Sequence, residues 1–257
     1  MGVAQRHLVV TGERVSTPEG GFKPTWERHV AAYAAAAELL PPDGPVLDLG
    51  CGIGHSYHLL APRETVGVDV EAAVLSGQKR RTIVADMRDL PLPDDSFAAV
   101  VSVQSIEHVP DPERALAEVR RVLEPGGVAV FVTPNRLTFG RPDEIIDPYH
   151  DVEYDEHQLR ALCERFFDDV EIQGLFGSER YLALVEGEKQ RLDQLLRLDP
   201  LRLRRFVPRA ARQWLYDTQL RRERADFAPE AAAIEVDDFE LRDGPLDEAL
   251  DLVAVCR

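Results

Sequence analysis

Three glycines at alternate positions stand just behind an acid in Val46-Leu47-Asp48-Leu49-Gly50-Cys51-Gly52-Ile53-Gly54-His55, a stretch with the residue types for close ligand binding. Glycine reaches backbone angles that bring N–H groups up against a ligand, and a neighbouring carboxylate selects the charge that the ligand carries. Two more acids close short apolar runs, Asp69 after Thr65-Val66-Gly67-Val68 and Asp86 after Thr82-Ile83-Val84-Ala85. Asp69 lies about 20 residues beyond the glycines, the spacing at which an adjacent parallel strand delivers a carboxylate to ribose hydroxyls. Proton removal is a second chemistry on offer: His108 is the first candidate base, with His29, His150 and His157 behind it. His108 also reads as a helix-entry residue making a structural hydrogen bond, and Glu107 reads as structural. His55 and His58 share the i, i+3 spacing of a helix face, but no further ligands accompany them; they are read as packing near the ligand, and no metal site is expected.

These residues need a frame. The runs at Val46–Leu49, Thr65–Val70, Thr82–Ala85, Phe97–Val103 and Val128–Val132 read as strands. Ser56-Tyr57-His58-Leu59-Leu60 can start a helix behind the glycines, and Asp111-Pro112-Glu113 opens one that Pro125-Gly126-Gly127 ends. Upstream, residues 1–24 read as a loop or arm, and an alanine-rich helix runs from Thr25 to Leu40 until Pro41-Pro42 stops it. Trp26 and Tyr33 either anchor that helix on the sheet or make it a cap over the glycine loop. Residues 154–167 read as a helix, and Val170–Phe176 and Leu250–Cys256 as the last strands. The alternation predicts an α/β fold with a doubly wound, mostly parallel sheet, whose ligands sit outside the carboxyl ends of the strands. Asp48, Asp69, Asp86, Gln104 and Asn135 all fall at or just beyond such ends.

With 257 residues, 44% of them hydrophobic, the chain can bury one sizeable core. A formal charge of -16 and a pI near 4.9 repel a phosphate backbone, so nucleic acid is not an expected partner. Cys51, Cys163 and Cys256 form no CxxC pair, which suits a reducing compartment. With no leader-like or membrane-spanning run, the expected location is the cytoplasm and a membrane is not an expected partner. Residues 186–229 are basic where the whole is acidic: Arg191, Arg197, Arg202, Arg204 and others sit among leucines, Phe206, Trp214 and Tyr216. Amphipathic helices broken by Pro200 and Pro208 are expected there, as an extra layer, a substrate lid, a homodimer surface or a contact for an anionic membrane face.

The ligand follows from the detail of the loop. A dinucleotide site takes G-x-G-x-x-G, and Asp48 would repel a pyrophosphate while helping to position an ammonium, directly or through water. S-adenosylmethionine has that ammonium, a ribose diol for Asp69 and an adenine amino group for Asp86. Together with Gly67-Val68-Asp69, Ala85-Asp86-Met87, Leu90-Pro91-Leu92-Pro93-Asp94-Asp95-Ser96-Phe97, Ile106-Glu107-His108-Val109 and Leu123-Glu124-Pro125-Gly126-Gly127, the loop resembles that of a class I S-adenosylmethionine-dependent methyltransferase, of the small-molecule, type 11-like kind. The likeness runs in order over residues 46–135. More loosely, Thr11-Gly12-Glu13-Arg14 with His29–Tyr33 is similar to the N-terminal arms of bacterial members, and Leu246–Arg257 to the family's last strand.

The resemblance implies seven strands in the order 3-2-1-4-5-7-6, strand 7 antiparallel, with a helical insertion before the last strand. It implies that Gly50, Gly52 and Gly54 lie along the methionine portion, that Asp69 binds the ribose, that Asp86 and Met87 flank the adenine, and that Gln104 lies near the methionine end, with Cys51 and Val70 also expected among the cofactor-binding residues. Ala98 departs from the family, which usually has Asp there. The expected organisation is one domain over 1–257: arm and cap helix 1–40, cofactor-binding core 41–185, basic insertion 186–229 and C-terminal strand region 230–257. The expected function is methyl transfer to a small-molecule acceptor, a hydroxyl, by in-line displacement. The alternatives are a non-catalytic S-adenosylmethionine-binding or assembly protein and a nicotinamide oxidoreductase, the latter disfavoured by Asp48 and the glycine spacing.

Overall fold

The computed structural model describes residues 23–139, 145, 147–196, 207–208, 210–216, 218 and 228–257. Eight strands form one sheet: β1 Val46–Leu49, β2 Thr65–Asp69, β3 Arg81–Val84, β4 Phe97–Val103, β5 Leu123–Pro134, β6 Val170–Gly177, β7 Phe239–Arg242 and β8 Asp251–Cys256. Their order is β3-β2-β1-β4-β5-β8-β6-β7. β1 runs parallel to both neighbours, and β8 lies antiparallel between β5 and β6. This is the expected order with one strand added. β7, four residues at the outer edge of β6, is too short to give a periodic signal in the sequence.

Helices α1 Lys23–Leu39, α2 Ala72–Leu75, α3 Pro112–Val122, α4 Arg136–Phe139, α5 Glu156–Cys163 and α6 Glu179–Leu196 complete the layers that matter for the site. Side chains alternate across the strands. Phe131, Leu252 and Ala254 face one core with Leu116 and Val119 of α3 and Leu159 of α5. Val130, Val132 and Val253 face the other, with α1 and with Tyr181 and Leu184 of α6. Ala31, Ala32, Ala35 and Ala36 are all buried, and their small size lets α1 lie close on the sheet. Asp111 caps α3, its carboxylate accepting the Arg114 N–H at 3.3 Å, and Asp155 and Gln158 cap α5 reciprocally.

Three local expectations are corrected. The helix expected behind the glycines is a single 3-10 turn, Tyr57–Leu60, because Pro62 cannot extend it. β5 begins at Leu123, which pairs with Phe97 before the register shifts to Ala99 opposite Val128; Pro125-Gly126-Gly127 is therefore a kink inside the strand. Helix α6 runs through the boundary expected at residue 186. The arm at 1–22 and most of the insertion's arginines lie outside the described residues. Among the described residues, no helix is long and apolar enough to cross a membrane.

Candidate functional site

A cavity of about 300 Å³ opens at the carboxyl ends of β1, β2 and β4, floored by the loop that follows β1. Gly50, Gly52 and Gly54 have φ of +69°, +51° and +68°, so all three stand in the left-handed region that favours glycine. A Cβ at Gly50 would strike the Ser105 side chain and one at Gly54 the Gln78 amide, whereas Gly52 faces open space. The loop is pinned on both sides. The Gly52 N–H donates to Asp69 Oδ2 at 3.0 Å, Gln78 Nε2 donates to the Gly52 carbonyl at 2.8 Å, and Ser105 Oγ donates to the Gly50 carbonyl at 3.2 Å.

Of the residues expected to bind, Gly50, Cys51, Gly52, Asp69, Val70, Asp86, Met87, Gln104 and His108 line this cavity. Asp48 and Gly54 do not. Asp48 is fully buried beneath the loop, where Oδ2 pairs with Arg80 Nη2 at 2.7 Å and Oδ1 accepts the Tyr33 hydroxyl at 2.9 Å. The expected direct reach from Asp48 to an ammonium is corrected: the carboxylate supports the loop from below. Burial pushes its carboxyl up, and the Arg80 guanidinium works against that. Asn135, another strand-end residue, is also buried and holds the 246–249 turn through the Leu246 and Ala249 carbonyls at 2.7 and 2.9 Å.

Asp69 retains capacity for a diol. Each oxygen accepts one backbone N–H, from Gly52 and Glu71, and a carboxylate oxygen takes two. Asp86 is bound by Arg88 through both nitrogens, at 3.0 Å and 2.6 Å, and that hydrogen-bonded pair holds its carboxyl below the usual range. Gln104 has φ of +51°, and its amide is committed to Asp251 Oδ1 at 2.5 Å. Burial pushes the Cys51 thiol up to about 12, aided by the Asp48 charge, so it is no nucleophile.

Sequence reasoning missed Ser105, Gln78 and Arg80, whose bonding depends on tertiary placement. Tyr33 and His29 line the cavity while the alanines of α1 meet the sheet, and Trp26 packs on the His55 ring at a centroid distance of 4.5 Å. Burial holds His29 down to about 3 and His55 down to about 4, with the neighbouring imidazoles adding to the effect. His58 and His157 are exposed.

His108, also in the cavity lining, follows β4 on a 3-10 turn, Ile106–His108. Its Nδ1 lies 3.1 Å from the Tyr149 carbonyl, and its ring is 5.1 Å from that of His150. Glu107 is buried, accepting from the Thr133 hydroxyl at 3.0 Å, and its carbonyl accepts the N–H groups of Asp151 and Val152. Burial disfavours a proton on His150, but Glu153, Asp147 and Glu107 outweigh this and raise its pKa. Tyr216, from the insertion, donates to Asp147 at 2.9 Å beside this turn.

The fit to a ligand with an ammonium, a ribose and an adenine, and without phosphate, rests on these acids. Asp69 and Asp86 face the cavity, and the guanidinium in its lining, Arg88, is already committed to Asp86. The model of a methyltransferase domain matches residues 47–131. A protein of Mycolicibacterium smegmatis, described as a probable S-adenosylmethionine-dependent methyltransferase, is 32% identical over 260 residues, spanning 96% of this chain and 94% of that protein. The chain belongs to the S-adenosylmethionine-dependent methyltransferases. A 2-methyl-6-phytyl-1,4-hydroquinone methyltransferase of Synechocystis is 36% identical over 170 residues, 57% of this methyltransferase and 51% of the relative. A solved SAM-dependent methyltransferase from Thermotoga maritima shares the fold, with a TM-score of 0.58 at 19% identity over 90% of this chain and 89% of that one. S-adenosylmethionine is thus the cofactor of this methyltransferase.

Proposed function

We propose that this methyltransferase moves a methyl group to a hydroxyl of a small-molecule acceptor by in-line displacement. The observation that carries the reading is one continuous cavity, running from the glycine loop and Asp69 to the imidazole of His108. S-adenosylmethionine supplies a methyl group already activated on its sulfonium. In this reading Gly50, Cys51 and Gly52 hold the methionine portion, with Gly54 behind them, and Asp69 and Val70 hold the ribose. Asp86 and Met87 border the adenine, and Gln104 fixes the backbone near the methionine end. Asp48 acts through the loop and Tyr33. His108 is the acceptor-activating side chain: the Tyr149 carbonyl engages its Nδ1 and fixes the ring in the lining of the cavity. The hydroquinone named for the Synechocystis relative supports a small acceptor bearing hydroxyls. The neutral imidazole of His29 and Tyr33 line the same cavity and add no charge to it.

In this reading the chain is one catalytic domain, and Tyr216 stands against Asp147 beside the acceptor side. Methyl-labelled cofactor, incubated with the protein and a panel of hydroxylated small molecules, tests the reading by mass spectrometry of the products. Label on an acceptor oxygen is expected. Label on nitrogen or carbon only would refute the hydroxyl assignment, and firm S-adenosylhomocysteine binding without transfer would favour a non-catalytic role.

A further inference from the structure

We propose that Glu107, His108 and His150 hold a divalent first-row metal cation at the acceptor end of the cavity, with open coordination positions for an acceptor oxygen. The three residues each bring one ligand atom, all within 4.8 Å of one another. Ligands at about 2.1 Å from such an ion stand roughly 3 to 3.5 Å apart, so the set must draw in by about 1 Å. Two imidazoles and one carboxylate suit first-row divalent ions and leave positions free for an exogenous oxygen.

Two features beyond proximity point to a cation. Glu107 Oε1 is buried and accepts no hydrogen bond, although the side chain is only 2% exposed and its other oxygen is bound by Thr133. It faces His108 Nε2 at 4.0 Å. A carboxylate oxygen left without a donor in such a place is costly, and a metal ion satisfies it. The outer shell is also arranged as for ligands. His108 Nδ1 meets the Tyr149 carbonyl at 3.1 Å and His150 Nδ1 meets Glu153 Oε1 at 3.2 Å, contacts of the kind that orient imidazoles as metal ligands. Glu153 is itself 8% exposed, and among the described residues neither it nor Glu107 is paired with a lysine or arginine. Two buried carboxylates against two imidazoles therefore carry net negative charge that a divalent ion neutralises.

Of the three, His108 lines the cavity, which puts the open positions where the acceptor enters. The role of His108 is then that of a ligand, and the cation lowers the pKa of a hydroxyl bound to it. This rests on the hydroxyl-acceptor reading above, but its test does not. Untagged, chelator-treated full-length protein is titrated with Co²⁺ and with Zn²⁺ by calorimetry, and the Co²⁺ complex is followed by visible absorption. One equivalent should bind with a nitrogen and oxygen ligand spectrum. His150→Ala and Glu107→Gln should each weaken binding by roughly 10-fold or more while S-adenosylhomocysteine affinity and the circular dichroism spectrum stay as in the parent. No binding to the parent, equal binding to both variants, or a thiolate spectrum would overturn the proposal. Each of those results leaves the methyltransferase reading standing if S-adenosylhomocysteine still binds.

Discussion

Arg80→Met removes the cation beneath the glycine loop and keeps a stem of similar length. In the parent, Arg80 and Asp48 side chains are 4% and 0% exposed, with 2.7 Å between Nη2 and Oδ2. Arg80 also donates to Gln78 Oε1 at 3.0 Å and lies over the Tyr57 ring, 4.4 Å from its centroid. Gly67 makes the passage possible, since a Cβ there would sit 2.9 Å from the guanidinium carbon. Without Arg80, Asp48 keeps only the Tyr33 hydroxyl against the cost of burying a charge. Breaking such a pair costs about 3 to 5 kcal/mol. For a chain of this size that lowers Tm by roughly 6 to 20 °C, at about 2 to 4 °C per kcal/mol. The sign of the pH dependence follows. Burial already raises the Asp48 carboxyl, and loss of Arg80 raises it further above its unfolded value. The folded variant then binds the extra proton, so its stability falls as pH rises through that window, and the deficit is largest at neutral to alkaline pH. Urea and thermal unfolding at mildly acidic and alkaline pH measure it. Asp48→Asn with Arg80→Met should recover most of the loss, because no charge remains to bury. A single variant within about 0.5 kcal/mol of the parent, or a double variant as damaged as the single, would refute the reasoning.

Gly50→Ala and Gly52→Ala should separate stability from binding. The first forces Ser105 aside at a positive φ and should lose more than about 2 kcal/mol in urea unfolding, whereas the second meets open space, carries only the roughly 1 kcal/mol strain of its own positive φ, and should mainly weaken S-adenosylhomocysteine in calorimetry. Asp69→Asn keeps the shape but loses the charge that accepts from Gly52 and, in the proposed mode, from the ribose. Affinity should fall by roughly 10-fold or more with Tm little changed, and unaltered affinity would remove Asp69 from the ribose role. The Arg180 guanidinium, with the Ser178 hydroxyl, holds the Asp238 carboxyl down to about 2 from 3.8. That stability is present above the unfolded value and disappears as pH falls through the folded one, so Arg180→Leu should move the acid limb of the stability curve to higher pH; superimposable limbs would count against the pair.

The sheet was legible because its central strands are short apolar runs that end in acids or turns, and burial on both faces leaves no other use for such runs. The crossovers were legible less well. Pro62, two residues beyond Leu60, cut a potential helix to one 3-10 turn, and a four-residue edge strand carries no period to detect. Among site residues, the alternate glycines and Asp69 were readable from local spacing alone. Asp48 was read as positioning an ammonium, directly or through water, but nothing near it in sequence shows that Arg80, 32 residues on, pairs with it in the interior. His150 was read only as a candidate base behind His108, and its meeting with His108 and Glu107 depends on the turn at 147–152 folding back onto the Glu107 carbonyl.

By itself the sequence determined the backbone chemistry of the loop: three residues without a Cβ where positive φ is required, and an acid one strand away. That is local information, carried by residue type and spacing, and it points to the cofactor once Asp48, Asp86 and the ordered likeness over residues 46–135 are added. Only the tertiary structure decided which carboxylates are spent on ion pairs inside the fold and which face the cavity. Segments far apart in the chain meet there, and the partner that neutralises a buried charge is chosen by packing.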